Sequence, residues 1–269
     1  MPDYLRTGSL GLDVMLGGGW KPGSINEIWG TPGSGKTTLA EHAIWELEPG
    51  RKALWISLGT EIPHRPTGAL VAQPRNAEQA FYIMTTCVLG NVDLIVVDSA
   101  NGLVRQRELD SDPDYIPHPQ REYKDELNRL KENCKGSGAI VIFLSKPRDC
   151  DRQPIRGTGI SEKARDRVHL QIWREHQDSS REIRYHAKLS ETMGVFSIRP
   201  GTGIDWAHEL AQLAIHYELA QQHASWIGYN HERFHGISEF QAYLSENTRA
   251  AVDLDESIRS VAGLAGTVR

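Results

Sequence analysis

An α/β fold, with a mostly parallel central sheet and helices on both faces, is predicted by three features of this 269-residue chain. First, residues 25–39 read as strand, glycine-rich turn and helix. The turn Gly30-Thr31-Pro32-Gly33-Ser34-Gly35-Lys36-Thr37 fits G-x-x-x-x-G-K-[ST] at every fixed position, the signature of a P-loop. Second, residues 93–99 (DLIVVDS) form an apolar run that ends in a carboxylate, Asp98. Parallel strands covered on both faces have this near-continuous apolar character. Third, two more such runs, 52–58 (KALWISL) and 139–144 (AIVIFL), alternate with helical stretches, as in repeated strand–helix–strand units.

The turn carries chemistry. Its glycines let successive backbone N–H groups curl toward phosphate oxygens, at the positive end of the helix that follows. Gly30, Pro32, Gly33, Ser34, Gly35, Lys36, Thr37 and Thr38 are therefore the candidate cofactor-binding residues, for a nucleotide's phosphates with Mg²⁺. Lys36 would reach the β- and γ-phosphates, and the Thr37 hydroxyl would ligate the metal. Asp98 ends its strand on the side where open α/β sheets bind ligands, and completes the metal shell opposite Thr37.

Composition narrows the class. No apolar run approaches the roughly 18 residues of a membrane span, and the first residues lack an export signal, so a cytoplasmic protein without a membrane partner is expected. The three cysteines (Cys87, Cys134, Cys150) lie far apart and form no metal pattern, which predicts reduced thiols. A net charge of −5 excludes a globally basic coat, so any nucleic-acid contact must come from a local patch.

In order along the chain, Leu10, Leu12 and Leu16 are candidate core positions, and the glycines after them a turn. Residues 63–75, with Pro63, Pro66, Gly68 and Pro74, read as loop. Residues 77–89 read as a helix with Ala80, Phe81, Met84 and Val88 on one face. A polar loop over 103–118 holds Arg105 and Arg107. A helix over 119–135 follows, with Tyr123, Leu127, Leu130 and Cys134 as its stripe. The loop 147–160 holds Arg148, Arg152 and Arg156, and taken alone reads as solvated surface. Residues 168–173, 182–188 and 195–199 alternate apolar and polar, which predicts an antiparallel extension of the sheet, each strand half exposed. Beyond Asp205 the pattern predicts a helix over 206–222, a hairpin around Asn230-His231-Glu232, a helix from 239 and a last one over 254–264. Two units are expected, a core over 1–202 and a small C-terminal α/β domain over 203–269.

Taken together, these features resemble the bacterial recombinase RecA family over almost the whole chain. The resemblance rests on Thr7-Gly8-Ser9-Leu10 with Leu12-Asp13 and Leu16-Gly17, and on Ile95-Val96-Val97-Asp98-Ser99. It continues through Ile142-Phe143-Leu144 before Ser145-Lys146, Gly201-Thr202-Gly203-Ile204-Asp205, and Ala224, Trp226 and Tyr229. It makes ATP the nucleotide, and implies a RecA-type ATPase core, single-stranded DNA binding, pairing with duplex DNA in recombination and repair, and a homo-oligomer or filament. Residues 104–118 and 147–160 would be the two DNA-facing loops. The second would offer Arg148, Arg152 and Arg156 with the backbone of Gly157 and Gly159. Lys188 resembles a lysine that the family places on a neighbouring subunit's ATP, and Trp206, just after the GTGID turn, is grouped with the cofactor-binding residues.

Four departures qualify that picture. The chain starts almost at the TGS motif, so the family's N-terminal oligomerisation arm is expected to be missing. The catalytic glutamate of the family falls on Gly59, which leaves Glu61, two residues on, as the candidate. Lys146 stands where the family has a γ-phosphate-sensing glutamine. The loop after Glu61 is shorter. Catalytic residues are therefore expected to be Glu61, Lys36 and Lys146, in a DNA-dependent ATPase whose hydrolysis is slow or fast according to the register of Glu61. The alternatives are a non-filamenting paralogue acting as mediator or regulator, and a ring-forming helicase-type motor.

Overall fold

The computed structural model of the chain describes residues 4–58, 67–106, 110, 123–146, 168–174, 183–189, 192–199 and 203–264, the side chains of 168–174, 183–189 and 192–195 excepted. A short helix α1 (Leu10–Leu16) leads to β1 (Ile25–Trp29) and α2 (Lys36–Trp45). Then come β2 (Ala53–Ser57), β3 (Ala69–Ala72), α3 (Ala77–Leu89), β4 (Leu94–Asp98), α4 (Lys124–Ser137) and β5 (Ile140–Ser145). β6 (Val168–Arg174), β7 (Ile183–Leu189), β8 (Thr192–Arg199) and β9 (Gly203–Ile204) complete a nine-stranded sheet of order β3-β2-β4-β5-β1-β6-β7-β8-β9.

From β3 to β6 every neighbouring pair is parallel, and β6 to β9 are antiparallel. The first strand of the expected extension is thus parallel to β1. The extension is not half exposed throughout either, because Phe196, Ser197 and Ile198 of β8 are all buried. Phe196 and Ile198 join the core under α1 and α2.

β2, β4 and β5 are largely apolar runs because both of their faces are covered, and β1, also buried throughout, carries Asn26 and Glu27 among its apolar residues. Leu94 and Val96 of β4 face a cluster with Leu12, Leu39 and Ile44. Ile95 and Val97, one step out of phase, face a second cluster with Phe81, Met84, Leu127 and Leu130. The period-2 alternation of a strand sends successive residues to opposite helix layers. Each large side chain buried this way contributes about 1.5–3 kcal/mol. α3 starts at Asn76, whose side chain accepts the Gln79 N–H at 2.9 Å, and α4 stops at Gly138 in the left-handed region.

Three expectations change here. The stretch 63–75 is not loop throughout, since it holds β3, an edge strand paired to β2 alone, with Leu70 two-thirds exposed at 67%. The segment Leu10–Leu16 is a helix, N-capped by Ser9 and closed by left-handed Gly17. In the C-terminal part, α5 (Trp206–His216) ends six residues short of the predicted 222, and Glu218 just beyond it has φ 59°. Leu219 packs against the C-terminal core from the non-helical stretch after it.

The remaining elements are β10 (Gln221–His223), β11 (Trp226–Tyr229), β12 (Glu232–His235), α6 (Gly236–Glu246) and α7 (Thr248–Val261). The hairpin β11–β12 turns at Asn230 (φ 47°) and His231 (φ 66°), the paired positive angles of a tight two-residue turn. β10 adds a third strand to this small sheet, and α7 begins before the predicted 254. Phe234, Phe240 and Leu254 pack with Leu210 of α5 and Leu10 of α1.

Two polar links join α1 to these helices. Ser9 Oγ donates to Glu209 of α5 at 2.9 Å. Arg259 of α7 binds Asp13 of α1 and its own neighbour Asp255, each at 2.9 Å, and Arg6 reaches Asp255 at 3.3 Å.

Candidate nucleotide-binding site

The loop between β1 and α2 leaves the sheet at Gly30, whose N–H donates to Ser145 O of β5 at 3.2 Å. Gly33 (φ 75°) and Gly35 (φ 83°) both sit in the left-handed region. At Gly33 that angle alone requires glycine, because a Cβ there would meet nothing within 4 Å. Gly35 is the N-cap of α2, and its carbonyl accepts the Leu39 N–H at 2.9 Å. Thr31, Pro32, Gly33 and Thr37 form the exposed rim, Ser34 and Lys36 lie beneath, and Thr38 is half-buried in the first turn.

Lys36 folds over its own loop. Its Nζ donates to Gly30 O and Thr31 O, each at 2.8 Å, and to Ser34 Oγ at 3.3 Å. Burial lowers its pKa to about 8. The carboxylate of Asp98 opposes that fall, and the charge of Lys146 adds to it. Asp98 shifts the other way, pushed up by burial against the pull of Lys36, Thr37 and Lys146. Thr37 Oγ1 donates to Asp98 Oδ2 at 3.4 Å. Lys146, just past β5, is fixed through its backbone, with its N–H donating to Asn101 Oδ1 at 2.9 Å. Residues from three neighbouring strand ends and one loop thus converge.

The donor set fits a nucleoside triphosphate with Mg²⁺. Thr37 and Asp98 offer two hard oxygen ligands side by side. Mg²⁺ is commonly held by one or two carboxylates plus substrate phosphates rather than by an all-protein cage.

Other predicted residues lie apart. Trp206 opens α5 and lines a cavity of about 230 Å³ with Arg6, Gly8 and His42, beside the C-terminal half of α2 and not at the loop. Lys188 is on β7, paired with Gln171 of β6, so a strand separates it from β1. Glu61, Arg148, Arg152, Arg156, Gly157 and Gly159 lie outside the described residues. So does most of the first DNA-facing loop, but Arg105 at its start is described. It binds Glu126 at 2.8 Å and Glu78 at 3.6 Å, and it stacks 4.8 Å from the Tyr123 ring centre. Its charge is already matched within the protein, which makes it a poor candidate for a DNA phosphate.

The sequence reading missed Glu27. This carboxylate lies inside buried β1 and accepts from Ser145 Oγ of β5 at 2.6 Å, tying the strand before the loop to the strand before Lys146. An acidic residue between Asn26 and Ile28, in a strand otherwise bounded by Ile25 and Trp29, was the available signal.

This strand–loop–helix, with a carboxylate at the end of a neighbouring parallel strand, defines an α/β protein of the P-loop class. Residues 3–150 match the family model described as the RecA N-terminal domain. Protein RecA of Caulobacter vibrioides (strain NA1000 / CB15N) is 30% identical, over 96% of this chain and 81% of that protein. Protein RecA of Paramagnetospirillum magneticum is 30% identical over 97% and 81%, and that of Synechocystis sp. (strain ATCC 27184 / PCC 6803 / Kazusa) 29% over 99% and 84%. The chain belongs to the RecA family.

Proposed function

We propose that this chain is an ATP-dependent protein of recombination and DNA repair, which binds single-stranded DNA, pairs it with homologous duplex and hydrolyses ATP when on DNA. One observation carries the reading. Lys36, Thr37, Asp98 and Lys146 lie within electrostatic reach of one another, in a member of a family of DNA-dependent ATPases. Bound ATP would supply the scissile phosphoanhydride bond, and Mg²⁺ would offset the charge on its phosphate oxygens. Residues 33–38 then cradle the phosphates, Lys36 exchanges loop carbonyls for phosphate oxygens, and Thr37 and Asp98 hold the cation. Lys146 answers to the terminal phosphate, and Lys188 serves the nucleotide of a neighbouring copy. Residues 1–202 form the ATPase core and 203–269 the C-terminal domain.

Glu61 orients the attacking water in this reading. Glu61→Gln keeps size but removes basicity, and is expected to leave ATP affinity near wild type while lowering DNA-stimulated turnover about 10²-fold. Equal turnover in variant and wild type would remove Glu61 from the role.

DNA contact is assigned to Arg148, Arg152 and Arg156, with the backbone of Gly157 and Gly159. Each phosphate contact on a single strand adds about −0.7 to the log–log slope of affinity against salt. Replacing the three arginines by alanine is expected to flatten that slope. An unchanged slope and affinity would place DNA elsewhere.

A non-filamenting member that binds ATP and a protein partner is the second reading, favoured by the engagement of Arg105 with Glu126 and Glu78. Electron microscopy with single-stranded DNA and a non-hydrolysable ATP analogue separates the two. Helical filaments support the first, lone monomers the second, and closed rings would indicate a motor instead.

A further inference from the structure

α2 carries the phosphate-facing residues at its first turn and His42 further along the same rod, about 9 Å away at 1.5 Å per residue. The His42 ring stands where the C-terminal unit is attached. Its Nε2 accepts the backbone N–H of Ile204 at 3.0 Å. The next residue, Asp205, caps α5 by accepting the His208 N–H at 3.3 Å, and accepts from Gln241 of α6 at 3.0 Å. On another side of the ring is Gly8, whose neighbour Ser9 caps α1 and donates to Glu209 of α5.

Both contacts are tight. A Cβ on Gly8 would lie 2.5 Å from the His42 Cβ, and one on Gly203 would strike Nε2 itself. Both glycines have positive φ, 88° and 90°, so the backbone comes against the ring at two points where no other residue fits. Trp45 braces the ring edge-on, with centroids 4.7 Å apart. Burial lowers the His42 pKa and so favours the neutral ring that can accept from Ile204. The cavity of about 230 Å³ between α2, α1 and the C-terminal helices borders this contact, leaving space into which it can shift.

We propose that His42 is a positioning residue that links occupancy of the P-loop to the setting of residues 205–264, through its hydrogen bond to Ile204 and its contact with Gly8. The proposal rests on the nucleotide reading of the loop. A helix is stiff along its axis, so a displacement at Lys36 and Thr37 arrives at His42. The two glycine contacts leave no slack to absorb it. A link of this kind needs an element that both sites bias, and α2 is that element.

Hydrogen exchange with and without Mg²⁺ and a non-hydrolysable ATP analogue tests this on the full chain, with calorimetry reporting affinity separately. In the wild type, exchange within 205–264 is expected to change on nucleotide addition. His42→Phe fills the ring's space without an acceptor. It is expected to lose that change while keeping affinity within about threefold and its melting transition cooperative. His42→Gln, whose amide oxygen can accept from Ile204, is expected to restore it.

Retention of the change in His42→Phe overturns the proposal, and so does wild type that binds nucleotide without any change in 205–264. Failure of His42→Gln to restore the response, with that variant folded, overturns the hydrogen bond as the link. Absence of calorimetric binding by wild type refutes the nucleotide reading itself, and the link with it.

Discussion

Lys36 holds its charge against burial, which lowers its pKa to about 8 while its ammonium is satisfied by neutral carbonyls. A phosphate arriving there favours the charged form, so the bound lysine titrates above its free value. Between those two pKa values, nucleotide binding takes up a proton. Affinity is therefore expected to be flat below about 8 and to fall as pH rises beyond it, by up to tenfold per pH unit. Calorimetry at pH 8.5 in buffers of different ionisation heat checks it, since proton uptake makes the apparent enthalpy depend on the buffer. A buffer-independent enthalpy would show that Lys36 keeps its proton throughout. At this scale the loop geometry of the candidate site was legible, while Trp206 and Lys188, expected at the nucleotide, lie apart from it. Lys36, Thr37 and Asp98 each belong to a local pattern whose spacing reports its own geometry. Glu27 and Asn101 were not legible, because their partners Ser145 and Lys146 become neighbours only when β5 lies beside its companions.

Between elements, the contact of α1 with α5 joins the packing of Leu10 to one buried carboxyl. Glu209 is buried and accepts from Ser9 Oγ and, at 3.4 Å, from the Gly11 N–H. Burial pushes its pKa from the ordinary 4.5 up to about 8, and the nearby Asp13 carboxylate adds to the rise. The folded state thus keeps a proton that the unfolded chain releases near 4.5. This contribution is fully present below that pH, is lost as pH rises through the window, and is gone above about 8. Glu209→Gln removes the titration. It is expected to stabilise the protein at pH 9 relative to wild type by an amount on the order of a few kcal/mol, and to leave it near wild type at pH 5. Denaturant melts at the two pH values decide this, and parallel shifts at both would disprove it. The elements that sequence patterns revealed are those covered on both faces or on one clean stripe, such as β4 and α3. β10 was missed because Gln221, Gln222 and His223 are all exposed and polar, so its pairing is made by backbone alone. α5 was overextended because Leu219 and Ala220 are apolar and packed without being helical.

Across the whole molecule, a small network of buried charge ties the beginning of the chain to its end. Arg259 and Asp13 are nearly inaccessible, with side chains 8% and 1% exposed, and Asp255 shares the arginine. Arg259→Ala removes the cation from buried Asp13 and leaves Asp255 with Arg6 alone, and is expected to cost about 3–5 kcal/mol. Replacing Arg259, Asp13, Asp255 and Arg6 together by apolar residues of similar volume is expected to recover most of it. Chemical denaturation of both variants is the check, and a loss in the fourfold replacement as large as in Arg259→Ala would contradict the account. The contact Arg259–Asp13 spans 246 positions and Arg6–Asp255 spans 249. During synthesis at roughly 5–20 residues per second, the first helix waits tens of seconds for its counter-ions. Through that interval Arg6 and Asp13 remain hydrated, and α1 lacks the α5 and α7 surfaces that later cover Leu10. The sheet around the P-loop can assemble earlier, because the strands that flank it precede these helices in the chain. A nascent chain stalled before residue 248 is thus expected to protect 25–58, 67–106 and 123–145 from protease while leaving 4–16 open to cleavage. The newest molecules would then hold a nearly finished phosphate loop beneath an unsealed flank, which closes only once residues 248–261 have emerged from the ribosome.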